Sequence, residues 1–269
     1  MIPEKTRELC KTALKRGGKV ILDHLGTSPK AVVKESISSV VTEADLASEK
    51  VILEILGNGS GRFNMITEES GYMDHGSSYT WVVDPLDGTS NFAAGLPWFG
   101  VIIALFREQE PILGGMYLPV ENQLYFTASG SGALKNNQTI QCTGSKTLSE
   151  LLIAYSFDFS NDPGKTRSEM ELMERLSKKV RNIRSTNALV DLCYTADGRF
   201  GAAINQTTKI WDIAVSWLLI REAGGIVTDI SGTDIEFNLS ADDFNHNYTI
   251  VASGSGIHKQ IIDIINPKP

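Results

Sequence analysis

The sequence predicts a layered fold of the α+β / α/β class, with an α+β half over residues 1–145 and an α/β half over residues 146–269. Two amphipathic helical patterns open the first half, and closely spaced apolar stretches follow them. In the second half, strand-like and helix-like stretches alternate, which is typical of sheets covered by helices. The chain has no internal repeat and no polar linker, so we expect the two halves to share an interface.

Two helices are predicted in the first sixty residues. Apolar side chains recur at helical spacing over residues 4–25. After a β-type stretch at 37–41, Thr42 and Asp45 form a pattern like a capping box, with Asp in place of the usual Glu or Gln. The helix that begins there is predicted to end at Gly57.

Buried strands are predicted at 63–67 and 80–83, and each runs directly into acidic residues. Three apolar stretches with Gly and Pro at their turns, 99–106, 112–118 and 123–127, predict an antiparallel meander. In the second half we predict strands at 151–156, 180–184, 200–204, 225–228 and 248–252. Helices are predicted there at 168–179, 188–196, 211–223 and 257–265.

Composition narrows the classes of function. The net charge is −7 and the basic residues are scattered, which argues against direct nucleic-acid binding. The three cysteines lie far apart and form no CxxC pair, so we expect reduced thiols. The N-terminus lacks the pattern of a signal peptide, and no stretch is long enough to cross a membrane. We therefore expect a cytoplasmic protein without membrane association.

The chemistry is concentrated in four acidic segments, each at the end of a predicted strand or the beginning of a predicted helix. They are Glu68, the segment 84–89, Asp212 and Asp45. Alone, each has an ordinary structural interpretation as a solvated loop, a turn or a helix cap. Together they place several carboxylates beside strongly apolar stretches, so we expect these groups to meet in one partly buried cleft.

Carboxylates brought together in a cleft need a counter-charge. Two unit charges about 4 Å apart repel by roughly 4 kcal/mol at an effective dielectric constant of about 20. Protonation or a bound cation relieves this repulsion. An all-oxygen ligand set favours Mg²⁺, with Mn²⁺ or Ca²⁺ as other occupants. The four histidines are isolated in the sequence, which argues against a zinc hydrolase.

The turn sequence Asp-Pro-Leu-Asp-Gly-Thr contains groups that suit metal and phosphate binding. Asp84 and Asp87 can face the same ions, and the Leu86 carbonyl offers a neutral oxygen ligand. The backbone N–H groups of Gly88 and Thr89 begin a short predicted helix, which is a natural cradle for a phosphate group. The Thr89 hydroxyl can orient or help deprotonate a water molecule.

These motifs resemble those of the inositol monophosphatase family of metal-dependent, lithium-sensitive sugar-phosphate phosphatases. The matching stretches follow the family's order: Glu68-Glu69-Ser70, then WVVDPLDGTSNF over residues 81–92, then Trp211-Asp212-Ile213-Ala214, then Glu222-Ala223-Gly224-Gly225. Asp45 matches the family's remaining acidic position. The resemblance implies an alternating α-β-α-β-α sandwich and a homodimer.

The resemblance also implies a set of metal ligands. Glu68, Asp84 and the Leu86 carbonyl would hold one Mg²⁺ ion. Asp84, Asp87 and Asp212 would hold a second ion. A third, weaker ion would contact Glu68 and solvent.

Catalytic roles and phosphate contacts follow from the same resemblance. The attacking water would be positioned by Glu68 and by the pair of Thr89 and Asp45. It would reach phosphorus in line, without a covalent phosphoenzyme. Gly88 and Thr89 would bind the phosphate. Lys34 matches a loop lysine that can neutralise phosphate, and an ordinary solvated lysine is the alternative interpretation.

Three positions near the expected substrate depart from the family's pattern. Asn187 lies in a stretch where the family commonly has Gly-Ser-Ala-Ala, Asn205 replaces a Glu that binds substrate hydroxyls, and Gly201 replaces a common Asp. With Asp212, the two asparagines are candidate substrate-binding residues. A neutral amide that can donate favours a polyol other than myo-inositol, or a substrate with an additional acceptor. The loop 157–163 can also border the substrate.

We therefore expect Mg²⁺-dependent hydrolysis of a small polyol or sugar phosphate monoester, with inositol 1-monophosphate as one candidate. Fructose 1,6-bisphosphate, histidinol phosphate and 3′-phosphoadenosine 5′-phosphate are alternatives within the same superfamily. A non-catalytic regulatory binding protein is the alternative from another class, because some bacterial relatives in this family also engage transcription factors.

Overall fold

The computed structural model describes residues 2–26, 32–33 and 40–267. Its helices are α1 (Glu4–His24), α2 (Glu43–Ser60), α3 (Thr89–Ala93), α4 (Pro163–Ser177), α5 (Val190–Ala196), α6 (Ile210–Glu222) and α7 (His258–Ile265). Its first strands are β1 (Val32–Val33), β2 (Val40–Val41), β3 (Asn64–Thr67), β4 (Gly71–Met73), β5 (Tyr79–Asp87), β6 (Gly100–Arg107), β7 (Glu110–Leu118), β8 (Gln123–Ala128), β9 (Ala133–Lys135) and β10 (Gln138–Ile140). The later strands are β11 (Leu152–Ser156), β12 (Asn182–Arg184), β13 (Ala202–Thr208), β14 (Gly225–Thr228) and β15 (Tyr248–Gly254).

Strands β3 to β10 form one eight-stranded sheet with the order β10-β9-β8-β7-β6-β5-β3-β4. Its strands β6, β7 and β8 pair antiparallel in chain order, so the predicted meander is confirmed. The pair β3 and β5 is parallel, and its register sets Thr67 beside Val83. The next residues along the two strands, Glu68 and Asp84, therefore lie side by side.

Strands β11 to β15 form a second sheet with the order β12-β11-β13-β15-β14. The strands β12, β11 and β13 are parallel to one another, and β15 runs antiparallel between β13 and β14. A register shift between Asn205 and Thr208 bends the end of β13. In the remaining ribbon, β1 pairs with β2.

Helices and sheets alternate in five layers, which confirms the predicted layered sandwich. Helices α1 and α2 cover one face of the first sheet, and α6, with α5 beside it, lies between the two sheets. Helices α4 and α7 cover the outer face of the second sheet. The first sheet is covered on both faces because the side chains of β5 alternate between them. Trp81 and Val83 pack in the core under α1 and α2, whereas Val82 packs in the core around α6. The predicted division into halves at residue 145 stays a prediction.

The predicted end of α2 at Gly57 is wrong, because the helix continues to Ser60. Gly57 is an interior residue of the helix, and Leu9 of α1 packs so closely against Gly59 that a Cβ there would lie 2.3 Å from its Cδ1 atom. The helix ends at Gly61, where φ is +75°. The predicted capping box of Thr42 and Asp45 is confirmed.

Other element bounds also differ from the predictions. Helix α4 begins at Pro163 rather than at residue 168, because Asp162 caps it through a 2.8 Å bond from the Gly164 N–H to its Oδ1. The short strands β4, β9 and β10 were not predicted, since each has only three residues and no clear alternation. Most of the predicted β-type stretch at 37–41 lies outside the described residues, but its last two residues form β2. In the described part of the chain, the helices are too short or too polar to cross a bilayer.

Candidate metal and phosphate site

A cavity of about 480 Å³ opens where β3 and β5 of the first sheet meet the N-terminus of α6. The predicted site residues that line it are Glu68, Asp84, Leu86, Asp87, Gly88, Thr89, Asn187, Asn205 and Asp212. Asp45 reaches the cavity through its bond to Thr89. Lys34, the remaining predicted contact, lies outside the described residues.

Glu68 and Asp84 enter the cavity from neighbouring parallel strands. The Glu68 N–H donates to the Val83 carbonyl at 3.1 Å, which extends the strand pairing by one residue. Asp84 is only 2% exposed, and its carboxyl group lies within hydrogen-bonding reach of the Glu68 carboxyl group. Two carboxyl groups at this distance share a proton or need a cation between them.

The Asp-Pro-Leu-Asp-Gly turn lies within β5, where the pairing with β6 shifts register between Asp84 and Asp87. The Leu86 N–H donates to Asp84 Oδ1 at 3.0 Å, so the turn fixes the orientation of that carboxylate. Gly88 closes the turn with φ at +84°, and a Cβ there would lie 2.5 Å from the Trp98 carbonyl oxygen. The position therefore requires glycine on both conformational and steric grounds.

Asp87 and Asp212 are each oriented by a backbone N–H group. The Leu189 N–H donates to Asp87 Oδ1 at 2.6 Å, and the Lys209 N–H donates to Asp212 Oδ2 at 2.7 Å. Asp212 lies in the first turn of α6, where the helix dipole favours a negative charge. Oxygen atoms of Asp84, Asp87 and Asp212 all lie within 4.8 Å of one another, which suits a shared cation.

Burial and mutual repulsion raise the pKa values of the carboxyl groups in this cluster. Burial raises the pKa of Asp84 well above its usual range, and the charge of Glu68 raises it further. Burial likewise raises the pKa of Asp212, with the charge of Asp87 as the next cause. Burial raises the pKa of Asp87 from 3.8 to about 7, although the Leu189 N–H partly offsets the effect. Without a cation, the cluster therefore holds extra protons near neutral pH.

The donor set fits a hard divalent cation. Carboxylate oxygens from three Asp residues and one Glu, with the Leu86 carbonyl beside them, are oxygen ligands of the kind that Mg²⁺, Mn²⁺ and Ca²⁺ accept. Nitrogen and sulfur ligands do not contribute to the clusters that the described residues form. A cation at this position would replace the protons that the raised pKa values imply.

Thr89 connects the turn to helix α2. Its Oγ1 atom lies 2.9 Å from Asp45 Oδ1 and 2.9 Å from the Leu86 carbonyl oxygen. Asp45 is fully buried and also accepts hydrogen bonds from the N–H and hydroxyl groups of Thr42. Burial raises the pKa of Asp45, and these hydrogen bonds partly lower it. The hydroxyl of Thr89 is therefore held beside a carboxylate that can take its hydrogen bond.

The cavity wall also contains amide side chains. Asn187, with φ at +54°, donates from Nδ2 to Asp158 Oδ1 at 2.8 Å. Asn205 accepts the Thr207 N–H at its Oδ1 atom, also at 2.8 Å. Because a carboxylate only accepts and a backbone N–H only donates, both amide orientations are unambiguous. The wall thus presents the Asn187 carbonyl oxygen as an acceptor and the Asn205 amide nitrogen as a donor.

Comparison with known proteins decides the family. The model of the inositol monophosphatase family matches residues 3–268. The chain belongs to this family. An inositol-1-monophosphatase of Caulobacter vibrioides is 34% identical over 236 residues, which cover 86% of this chain and 89% of that protein. A Nus factor SuhB of Pasteurella multocida is 34% identical over 242 residues, which cover 87% of this chain and 85% of that protein.

The fold of the inositol monophosphatase family is also evident from a solved structure. The extragenic suppressor protein suhB of Bartonella henselae superposes with a TM-score of 0.88 at 28% identity. The match covers 97% of this chain and 98% of that protein. The layered architecture predicted from the sequence is therefore the family's fold.

Several polar residues at this inositol monophosphatase-family site were not predicted. Ser48 and Glu49 of α2 are buried and bind the backbone of the acidic segments. Asp191 of α5 is 2% exposed, and burial raises its pKa to about 6. Ser48 and Glu49 follow Asp45 by three and four residues, which places all three on the same helix face. This spacing was the feature of the sequence that could have predicted them. Asp158 belongs to the loop 157–163, which was predicted as a candidate border of the substrate, and it lines the cavity.

Proposed function

We propose that this chain is a Mg²⁺-dependent phosphatase that hydrolyses the phosphate monoester of a small polyol or sugar. The observation that carries the proposal is the convergence of Asp84, Asp87 and Asp212 within 4.8 Å, in a cavity that Glu68 also lines. Family membership supports phosphatase chemistry. Inositol 1-monophosphate is one candidate substrate, and fructose 1,6-bisphosphate, histidinol phosphate and 3′-phosphoadenosine 5′-phosphate are the alternatives.

The proposed ligands divide between two main ions. Glu68, Asp84 and the Leu86 carbonyl hold one Mg²⁺, and Asp84, Asp87 and Asp212 hold a second. A third, weaker ion contacts Glu68, and Mn²⁺ or Ca²⁺ can replace Mg²⁺. When bound, the ions offset the repulsion between carboxylates and stabilise negative charge on the phosphoryl oxygens.

The chain's own residues orient the nucleophile and the phosphate. Asp45 accepts the Thr89 proton, which leaves a lone pair of the Thr89 oxygen to accept a proton from the attacking water. Glu68 accepts the other proton of that water. The N–H groups of Gly88 and Thr89 contact phosphate oxygens, since the first turn of a helix leaves such groups without helical partners.

Specificity for the alcohol is assigned to the amide wall. The Asn205 amide nitrogen donates to one substrate oxygen, and the Asn187 carbonyl oxygen accepts from a hydroxyl. Asp212 accepts from a further hydroxyl near the ester, and Lys34 is assigned the role of neutralising phosphate. A polyol, which both donates and accepts at each hydroxyl, matches this combination.

We propose the oligomeric state, the cellular compartment and the sensitivity to Li⁺ from membership of the family. We expect a homodimer in the cytoplasm, inhibited by millimolar Li⁺, which can occupy a Mg²⁺ position with half its charge. The net charge of −7 argues against direct binding of nucleic acid.

The experiment is an assay of phosphate release from a panel of esters with Mg²⁺. The panel contains inositol 1-phosphate, fructose 1,6-bisphosphate, histidinol phosphate and 3′-phosphoadenosine 5′-phosphate. We expect turnover of at least one ester that Asp87→Asn nearly abolishes while the fold is retained. A protein that binds metal yet hydrolyses none of the esters would overturn the proposal.

A regulatory binding role is the second candidate. The relative in Pasteurella multocida named Nus factor SuhB favours it. Asp87→Asn separates the two roles, because a purely regulatory protein keeps its cellular phenotype when hydrolysis is lost.

A further inference from the structure

Helix α2 has a buried polar face directed at the site. From the N-cap Thr42, the polar residues Asp45, Ser48 and Glu49 follow at intervals of three, six and seven positions, and each of the four is at most 3% exposed. Buried polar groups are costly unless they are hydrogen-bonded, so the partners of this face are informative. Ser48 donates from Oγ to the Pro85 carbonyl at 2.8 Å, within the turn that contains the aspartates.

Glu49 extends this face to the segment of Glu68. Its Oε2 atom accepts the N–H of Glu69 at 3.2 Å, and its Oε1 atom accepts the hydroxyl of Ser70. Both contacts reach across 20 residues or more to the chain that follows β3. A single buried carboxylate therefore ties helix α2 to the residue next to Glu68.

These bonds fix both peptide groups that flank the Glu68 Cα atom. On one side the Glu68 N–H donates to the Val83 carbonyl at 3.1 Å. On the other side, the N–H of Glu69 belongs to the peptide group that follows Glu68, and Glu49 holds it. With both peptide planes held, the φ and ψ angles of Glu68 are restricted, and so is the direction of its side chain.

We propose that Glu49 is a positioning residue that sets the direction of the Glu68 carboxylate and thereby tunes divalent-metal affinity. The inference rests on the proposed function, in which Glu68 holds a metal ion. Glu49 does not line the cavity, so it acts through the backbone of Glu69 rather than by contact with metal or substrate. Groups that orient metal ligands in this way typically change metal affinity 10- to 100-fold when they are removed.

Two substitutions separate the reach of Glu49 from its charge. Glu49→Gln keeps the length and can still accept from the Glu69 N–H, while its amide donates to the Ser70 oxygen. Glu49→Asp keeps the charge but withdraws the carboxylate by one methylene group. Ile52→Val, on the same helix and fully buried, is the control for a general loss of packing.

The measurement is binding of Mn²⁺ alone, followed by electron paramagnetic resonance of the free ion. We expect Glu49→Gln and Ile52→Val to bind within about threefold of the unsubstituted protein, and Glu49→Asp to bind about tenfold more weakly. Equal binding by all four proteins, or weaker binding by Glu49→Gln than by Glu49→Asp, would overturn the positioning role. Absence of Mn²⁺ binding in the unsubstituted protein would instead overturn the metal centre itself, and with it this inference.

Discussion

The Thr89 hydroxyl lies 2.9 Å from Asp45 Oδ1, although the two residues are 44 positions apart. The same oxygen lies 2.9 Å from the Leu86 carbonyl, and its one proton can serve only one acceptor at a time. If Asp45 takes the proton, the Leu86 carbonyl is left available for its proposed role as a metal ligand. This pair therefore links the position of the Thr89 proton to whether the Leu86 carbonyl is available to bind a metal ion.

Replacement of Thr89 tests this link. We expect Thr89→Val to lower kcat about 100-fold or more, because it removes the hydroxyl that is proposed to accept a proton from the attacking water. Thr89→Ser keeps the hydroxyl and should retain most of the activity. Steady-state kinetics at saturating Mg²⁺ provide the measurement, and equal activity of the valine and serine variants would contradict the role.

The pH dependence of metal-induced stabilisation follows from the raised pKa values. The pKa of Asp87 rises from 3.8 to about 7 in the folded protein, so the folded state binds more protons than the unfolded state between these values. Stability of the metal-free protein should therefore fall as pH rises through this range. Added Mg²⁺ must displace these protons, so its affinity should increase over the same range.

Thermal unfolding with and without Mg²⁺ at pH 5.5 and pH 8 measures this effect. We expect a larger increase in Tm on adding Mg²⁺ at the higher pH. In Asp87→Asn, the increase in Tm on adding Mg²⁺ should differ less between pH 5.5 and pH 8 than it does in the unsubstituted protein. An increase in Tm that is the same at both would show that protons and metal do not compete.

Gly88 should be intolerant of substitution. A residue with a Cβ at φ near +84° is strained by roughly 1–2 kcal/mol, and here the Cβ would also lie 2.5 Å from the Trp98 carbonyl oxygen. Gly95→Ala is a matched control, because φ is +73° and no heavy atom lies within 4 Å of the added Cβ. Urea unfolding should show a clearly larger loss of unfolding free energy for Gly88→Ala than for Gly95→Ala. Equal losses would show that the contact with the Trp98 carbonyl oxygen is easily relieved.

His258 should make the protein less stable in mild acid. It is 6% exposed, with Nδ1 2.8 Å from Ser253 Oγ and Nε2 3.0 Å from Thr228 Oγ1. Burial lowers its pKa from 6.5, so the unfolded state takes up its proton first as pH falls. Stability from this group is therefore present above about pH 6.5 and is lost below it.

Urea unfolding between pH 7 and pH 5 checks the sign of this dependence. We expect His258→Gln to lose less stability over this range than the unsubstituted protein does. His246→Gln, at a side chain that is 53% exposed, is the control for loss of a histidine. If His258→Gln lost more stability between pH 7 and pH 5 than the unsubstituted protein, the acid sensitivity could not be attributed to His258.

Much of the site was predictable because its acids follow strongly apolar strands. The burial of Val82 and Val83 directs β5 into the core, and Asp84 comes next in sequence. The capping box of Thr42 and Asp45 is similarly a local pattern. These features depend on neighbours along the chain, so the sequence alone was sufficient to predict them.

The remaining features depend on contacts between distant segments. Glu49 looks like any helix-surface acid until Glu69 and Ser70 are placed beside it. Similarly, Gly57 was predicted to end α2, but the helix continues to Ser60, and Leu9 of α1 packs closely against Gly59. Such cases require tertiary packing, which can override local propensity.

The position of α6 between the two sheets has a consequence for synthesis of the protein on the ribosome. Glu68, Asp84 and Asp87 leave the ribosome well before Asp212, which arrives at the start of α6. Chains emerge N-terminal end first, at about 5–20 residues per second. The nascent protein therefore carries an incomplete set of acids for several seconds, and the proposed metal site is complete only after α6 has docked.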